Sequence, residues 1–200
     1  VFFSLNLSKR LKKNSMDVKG TGIITIPDYV KKYYSEHYEK WFRMLPTSSQ
    51  NLFENSIMAA AWYPILEGLI YPTQALASLL GESSEEAAFR LGRYSSEVSL
   101  NGVYKIFLRV SSPLFVLSRA STVLGSYYRP AKIEVVEKHE EKAVMKITGF
   151  GGESSIVLNR IAGWIEKTIE TTGFKEINVS VEKYETEIVP YGFVTAEWKK

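Results

Sequence analysis

A chain of 200 residues is long enough to bury a hydrophobic core without disulfides or metal staples, and it fits one large domain more naturally than two small ones. It contains no cysteine, which excludes a disulfide framework, a thiol nucleophile, a thiolate zinc site and an S-acylated anchor. The 25 Lys and Arg against 22 Asp and Glu overstate its basicity: Lys9, Arg10, Lys12 and Lys13 stand in an acid-free N-terminal stretch, and without them the body carries about −1, too little to draw nucleic acid by phosphate neutralisation.

Residues 1–15, VFFSLNLSKRLKKNS, set an apolar block ahead of the charges, the reverse of a secretory signal. They are expected to form a disordered basic extension, with Met16 an alternative start and residues 16–200 a single α+β domain. No apolar run reaches the ~20 residues that span a bilayer. Together with the missing cysteines, this points to a cytoplasmic protein without a transmembrane segment.

In chain order, the β-branched run Val18–Ile26 predicts a strand stopped by Pro27. A helix follows from Asp28 to about Met44, ended by Leu45-Pro46, and a shorter one from Ser49 to about Ala61, capped by Thr47 or Ser48. Trp62-Tyr63-Pro64 reads as a break and a new helix start, running to Leu80 with a kink or split at Pro72. Gly81 fits a C-terminal cap. Ser83 and Glu86 form a capping box for a helix to about Leu100. After a short segment at Val103–Val110, Ser112-Pro113 starts a helix to about Tyr128.

From Pro130 the period changes from helical to alternating. Lys132–Glu137 and Ala143–Thr148 are strands around a charged turn at His139-Glu140-Glu141. A helix begins at Ser154 or Ser155, with Leu158, Ile161, Ile165 and Ile169 on one stripe, and ends at Gly173. Ile177–Glu182 and Tyr191–Trp198 are the last strands. The fold class is therefore α+β: a helical N-terminal two-thirds packed with a small antiparallel sheet (β-β-α-β-β) at the C-terminal end.

This order, with several short words in the chain, resembles a superfamily of haem-nitric-oxide/oxygen-binding domains, bacterial 4-vinyl-reductase domains and TRAPP tethering-complex subunits, and within it a bacterial branch found in myxobacteria. The words are Lys19-Gly20, Trp62-Tyr63-Pro64, Leu91-Gly92-Arg93, Gly102-Val103-Tyr104-Lys105, Ser112-Pro113 with Arg119, and Ile161-Ala162-Gly163-Trp164. The resemblance covers Val18 to Trp198. Its haem-binding members use a proximal histidine on a helix and a Tyr-x-Ser-x-Arg motif for the propionates. Here the Ser-x-Arg at Ser8-Lys9-Arg10 is preceded by Asn6 where the tyrosine belongs. The two histidines, His37 and His139, lie in polar contexts, so haem is not expected, and neither is any other cofactor.

Other chemistry is thinly represented. Asp17 and Asp28 are the only aspartates, and there is no Gly-x-Ser-x-Gly elbow. Glu36, His37 and Glu39 have no second ligand cluster. Gly149–Ser155 lacks the lysine of a phosphate loop and reads as a turn plus helix cap. Lys138–Lys142 reads as a solvated turn. What remains is aromatic: Trp62, Tyr63, Tyr71, Phe115 and Tyr127, with Tyr128, can line an apolar pocket between helices or form ordinary core. The expected function is a non-enzymatic module that senses an apolar small molecule or carries a regulatory contact. The alternative is a scaffolding protein that forms a homodimer through its helical face.

Overall fold

The computed structural model describes residues 16–100, 112–150, 154–184 and 191–199. The expected basic extension, the Val103–Val110 segment and the middle of the Gly149–Ser155 link lie outside the described residues.

Strand β1 is Asp17–Lys19, and the chain passes at Gly20 directly into helix α1 (Gly20–Ile23) and, after a bend at Ile24, α2 (Thr25–Tyr33). The strand expected over Val18–Ile26 is thus only three residues long. Ile23, Ile26 and Val30 are all fully buried, and their spacing is helical, so periodicity overrides β-branched propensity. Pro27 does not stop the chain because it falls in the first turn of α2, where its missing N–H is not needed. Gly20 is required where the strand passes into the helix, since a Cβ there would lie 2.1 Å from the Met58 carbonyl oxygen.

The helix expected over Asp28–Met44 comes in pieces: α2, a 3₁₀ turn at Ser35–His37, and α3 (Tyr38–Arg43). Helix α4 (Thr47–Glu54) ends well before Ala61, because the following backbone is recruited by the N-terminus. Gly20 and Thr21 donate their N–H groups to the carbonyls of Ala61 and Ala59. Trp62–Pro64 is a strand, β2, rather than a helix start. It pairs antiparallel with β1, setting Val18 against Tyr63 and Lys19 against Trp62. A third strand, β3 (Tyr128–Arg129), completes the order β2-β1-β3. Pro64 ends an edge strand, where a missing N–H breaks no ladder.

A π-helical turn, Leu66–Ile70, leads into α5 (Tyr71–Leu80). This is the split expected at Pro72, which occupies the first turn of α5. Its carbonyl accepts from Trp41 Nε1 at 3.1 Å, tying α3 to α5. Gly81 closes α5 with φ +68°, and the Ser83/Glu86 capping box opens α6 (Ser84–Ser99) as the sequence predicts. Ser112 caps α7 (Pro113–Gly125).

Beyond β3 come β4 (Lys132–His139), β5 (Lys142–Thr148), α8 (Ser154–Thr171), β6 (Lys175–Tyr184) and β7 (Tyr191–Lys199). They form a four-stranded antiparallel sheet in the order β4-β5-β7-β6, with α8 laid across one face. Ala143, Met145 and Ile147 of β5, and Val194, Ala196 and Trp198 of β7, are buried, which leaves the alternate residues to the other face. No helix among the described residues is long and apolar enough to cross a membrane.

Helices α6 and α8 cross with their backbones in contact. A Cβ on Gly92 would lie 2.0 Å from the Arg160 carbonyl oxygen, and one on Gly163 would lie 1.9 Å from that of Phe89. Alternating down the seam, Ser96 Oγ meets Thr168 Oγ1 at 2.9 Å, both residues buried. Arg93 reaches across to Glu166 and, at 2.6 Å, to Glu170.

Burial raises the Glu170 carboxyl, but hydrogen bonds from Lys167 and Arg93 outweigh it and hold the group below the ordinary carboxylate range. A folded-state pKa that is depressed contributes stability present above the unfolded pKa, about 4.3, and lost as pH falls through the folded one. Glu170→Gln should therefore lower stability at pH 7 by up to ~1 kcal/mol, a small value because the pair is partly solvated. The difference should shrink as the medium is acidified below pH 4. Paired thermal melts across that range check it, and a deficit that does not change with pH contradicts the assignment.

Candidate functional site

Helix α8 is sandwiched between α6 and the sheet, so it carries apolar residues on most of its circumference: Ile156, Val157, Leu158, Ile161, Ala162, Ile165 and Ile169 are all buried. Into this series falls Arg160, which is only 3% exposed. Its Nη2 donates to the Gly22 carbonyl oxygen of α1 and to Thr25 Oγ1 of α2, the latter at 3.1 Å. Among the described residues its Nη1 makes no hydrogen bond of good geometry, while the Tyr128 hydroxyl lies close enough to hydrogen-bond the guanidinium. The only ionisable side chain acting on it among the described residues is Tyr128, and no carboxylate does. Guanidinium groups taken out of water are almost always paired, so this one is exceptional.

Burial pulls the Arg160 pKa below its ordinary range. The same burial pushes the Tyr128 hydroxyl up, against the opposing pull of the neighbouring guanidinium. Beside them lies a cavity of about 20 Å³, walled by Gly22, Ser95, Leu124, Tyr127, Tyr128 and Trp164 together with Arg160 itself. One water requires roughly 10–15 Å³ measured in this way, so the space admits a very small molecule. Gly22 keeps it open, since an added Cβ there would stand 3.7 Å from the Tyr127 ring.

A second depression, of about 380 Å³, lies on the surface beside Glu85, Phe89, Arg90 and Arg93. It is open, and its arginines are already engaged with Glu82, Glu166 and Glu170. It offers less unspent binding capacity than the buried site.

The aromatic residues singled out in the sequence are dispersed. Trp62, on the edge strand β2, is flanked by two cations, Arg129 at 4.5 Å and Lys19 at 5.6 Å from its ring. Tyr63 accepts at its hydroxyl from the Met58 N–H, 2.9 Å away. Tyr71 begins α5 and is half-buried. Phe115 is an exposed residue of α7 with the Arg119 guanidinium over its ring. Tyr127 lines the Arg160 cavity, and so does Tyr128. Arg160 and Trp164, the functional candidates that sequence reasoning missed, both sit on α8. The available signal was one arginine inside a helix that is otherwise apolar on several faces.

Comparison with known proteins bears on the architecture. No family model matches the chain, and no curated protein matches it by sequence. Solved structures do match. An Fe(II) unliganded H-NOX protein from K. algicida superposes with a TM-score of 0.66 at 14% identity, over 91% of this chain and 97% of that one. An oxygen-binding H-NOX domain related to soluble guanylate cyclases gives 0.64 at 14% identity, over 91% and 95%. A mutant H-NOX of T. Tengcongensis gives 0.58 at 14% identity, over 91% and 98%. The fold is that of H-NOX domains. The likeness agrees with the haem-nitric-oxide/oxygen-binding part of the resemblance drawn from the sequence.

Neither histidine is placed to serve as the axial ligand of the haem that the H-NOX fold implies. An axial histidine must point into a pocket, yet the side chains of His37 and His139 are 50% and 65% exposed and lie near the carboxylates of Glu36 and Glu137. Among the described residues no group of three His, Asp or Glu side chains is placed to hold a metal ion.

Proposed function

We propose that this chain is a non-enzymatic sensing module on the H-NOX fold, one that works without haem and receives a very small molecule at the junction of α1, α6, α7 and α8. The observation that carries this reading is the buried Arg160, with no carboxylate partner among the described residues, beside a small cavity. Such a group is a standing destabilisation unless something binds it. The walls are mostly rings and leucine, so the ligand meets an apolar enclosure with one strongly polar contact, the usual make-up of a small-molecule site.

Arg160 also supplies a route for a signal. It fastens α8 to the Gly22 carbonyl and the Thr25 hydroxyl, so any ligand that engages the guanidinium acts directly on the start of the chain. A carboxylate or imidazole that could exchange protons with a substrate is not among the cavity's lining residues, which favours binding over catalysis.

Native mass spectrometry of the purified full chain tests the proposal, since it reports retained ligand and oligomeric state together. Retention of a low-mass adduct, lost on mild activation, is expected. A chain that never carries an adduct, whatever small molecules are supplied, rejects the sensing role.

The haem-free part of the proposal has its own test. Titration with haem should give no saturable, sharpened Soret band. A stoichiometric band that disappears in His37→Ala would show that the exposed histidine is recruited after all.

A further inference from the structure

The larger sheet ends in two edges that differ. At one, α7 packs along β4, the ladder shifts between Val135 and Glu137, and Lys132, Glu134, Glu137 and Lys138 line the strand. A cover, a bulge and a row of charges are the devices by which natural sheets refuse a further strand. At the other edge, β6 packs on β7 and α8. Its irregularity is confined to its start, where the register shifts between Lys175 and Asn178 and Glu176 stands at φ +46°. Asn178–Tyr184 then pairs with β7 residue for residue, without proline or glycine. Among the described residues no strand lies on the outer side of β6. Val179 and Val181, on the α8 face, remain half-buried, and Asn178, Ser180 and Glu182, on the opposite face, are exposed.

We propose that Asn178–Tyr184 is the interface for a second copy of this chain, the two β6 strands pairing antiparallel about a two-fold axis at Ser180 to join both sheets into one. Residues opposite each other must share a face, so the axis has to pass through a residue, and charge selects which. With the axis at Ser180, Val179 of each copy meets Val181 of the other beneath α8, covering the apolar surface that the edge leaves half-buried. On the exposed face Asn178 stands opposite Glu182, to which its amide can donate. Moving the axis to Val179 sets Glu176 against Glu182 and Lys175 against Lys183, like charges that destabilise a strand pair. Moving it to Val181 sets Lys183 against Val179 and removes the contact between valines of different positions. The two-fold consumes both undefended edges and leaves outside only the two β4 edges, covered and bulged, so the assembly closes as a dimer and does not grow into a fibre. This surface is separate from the Arg160 cavity and does not depend on the ligand-sensing reading.

The chain has no cysteine, so Ser180→Cys introduces a single thiol. On the axis that thiol faces its own copy within disulfide range, and mild oxidation of the full-length variant should give a covalent dimer on a non-reducing gel. Lys132→Cys, on the β4 edge, is the control and should stay monomeric under the same conditions. Sedimentation of the wild-type chain should show a reversible, concentration-dependent dimer. Asn178→Glu should raise its dissociation constant by about tenfold or more, because the two-fold repeats the like-charge pair with Glu182. Adding Glu182→Lys to Asn178→Glu should restore the dimer, which a merely misfolded variant would not do. The cysteine test stands alone should either charge variant fail to fold. A wild-type chain that stays monomeric overturns the inference, as does a Ser180→Cys dimer no more abundant than that of the control. A dimer indifferent to Asn178→Glu overturns it too, and moves the contact to another surface such as the helical face.

Discussion

Replacing Gly163 by valine should destabilise the protein by about 3 kcal/mol or more, the upper end of what overpacking does. The reason is the partner. A Cβ at this position would meet the carbonyl oxygen of Phe89 at 1.9 Å, and that oxygen belongs to a helix backbone, which cannot rotate aside as a side chain can. The helices would have to separate along the whole α6–α8 seam, where Gly92 makes the reciprocal contact on Arg160 and where Ser96, Thr168, Arg93 and Glu166 bridge the gap. The matched control is Gly125→Ala in α7, where nothing lies within 4 Å of an added Cβ. It should be neutral or stabilising by up to ~1 kcal/mol through the unfolded state. Denaturant unfolding of both variants checks the pair. Equal effects would mean that the crossing is looser than its geometry implies.

In the absence of added ligand, Arg160→Met should raise stability, by about 1–2 kcal/mol, an increase of several degrees in midpoint for a domain of this size. Methionine keeps the volume of the arginine stem and removes a charge that has no counter-ion. The Gly22 carbonyl oxygen it abandons is not stranded, because Thr25 Oγ1 already lies 3.5 Å away and can donate to it, and the Tyr128 hydroxyl loses a hydrogen bond that tempers the gain. Arg160→Ala should instead destabilise, since it opens a void among Ile161, Leu124 and Tyr128. A residue whose apolar isostere improves the fold is retained for what it binds. If Arg160→Met costs more than ~2 kcal/mol, the guanidinium is part of the structural framework and the site loses its rationale.

These two positions were unequally visible before the structure. Gly163 stood in one of the words that resemble the H-NOX superfamily, and the same is true of Gly92, of Gly20, and of Trp62 and Tyr63. These four words share one feature, a place where backbones touch: Gly20 against the Met58 carbonyl, β2 against β1, and α6 against α8. Arg160 stood in no such word. Its importance depends on burial, and nothing local to Leu158-Asn159-Arg160-Ile161 says that this side of the helix is covered. Its acceptor on Gly22 is 138 positions away. The aromatic residues misdirected attention for a related reason. Rings signal apolar contact, but whether that contact is a cavity wall, as at Tyr127, or a cation-flanked strand edge, as at Trp62, is set by neighbours distant in sequence.

The sequence by itself determined what is decided within a turn or two of chain: the capping box at Ser83 and Glu86, the left-handed Gly81, the split before Pro72, and the β-β-α-β-β order whose alternating and 3.6-residue periods are long enough to read. Only the tertiary structure decided the three-stranded sheet β2-β1-β3, since its strands of two and three residues carry no period of their own and exist because each finds its partner. It also placed Arg160 in the interior, because the free energy of a buried charge is a property of everything packed around it and of nothing in its own segment.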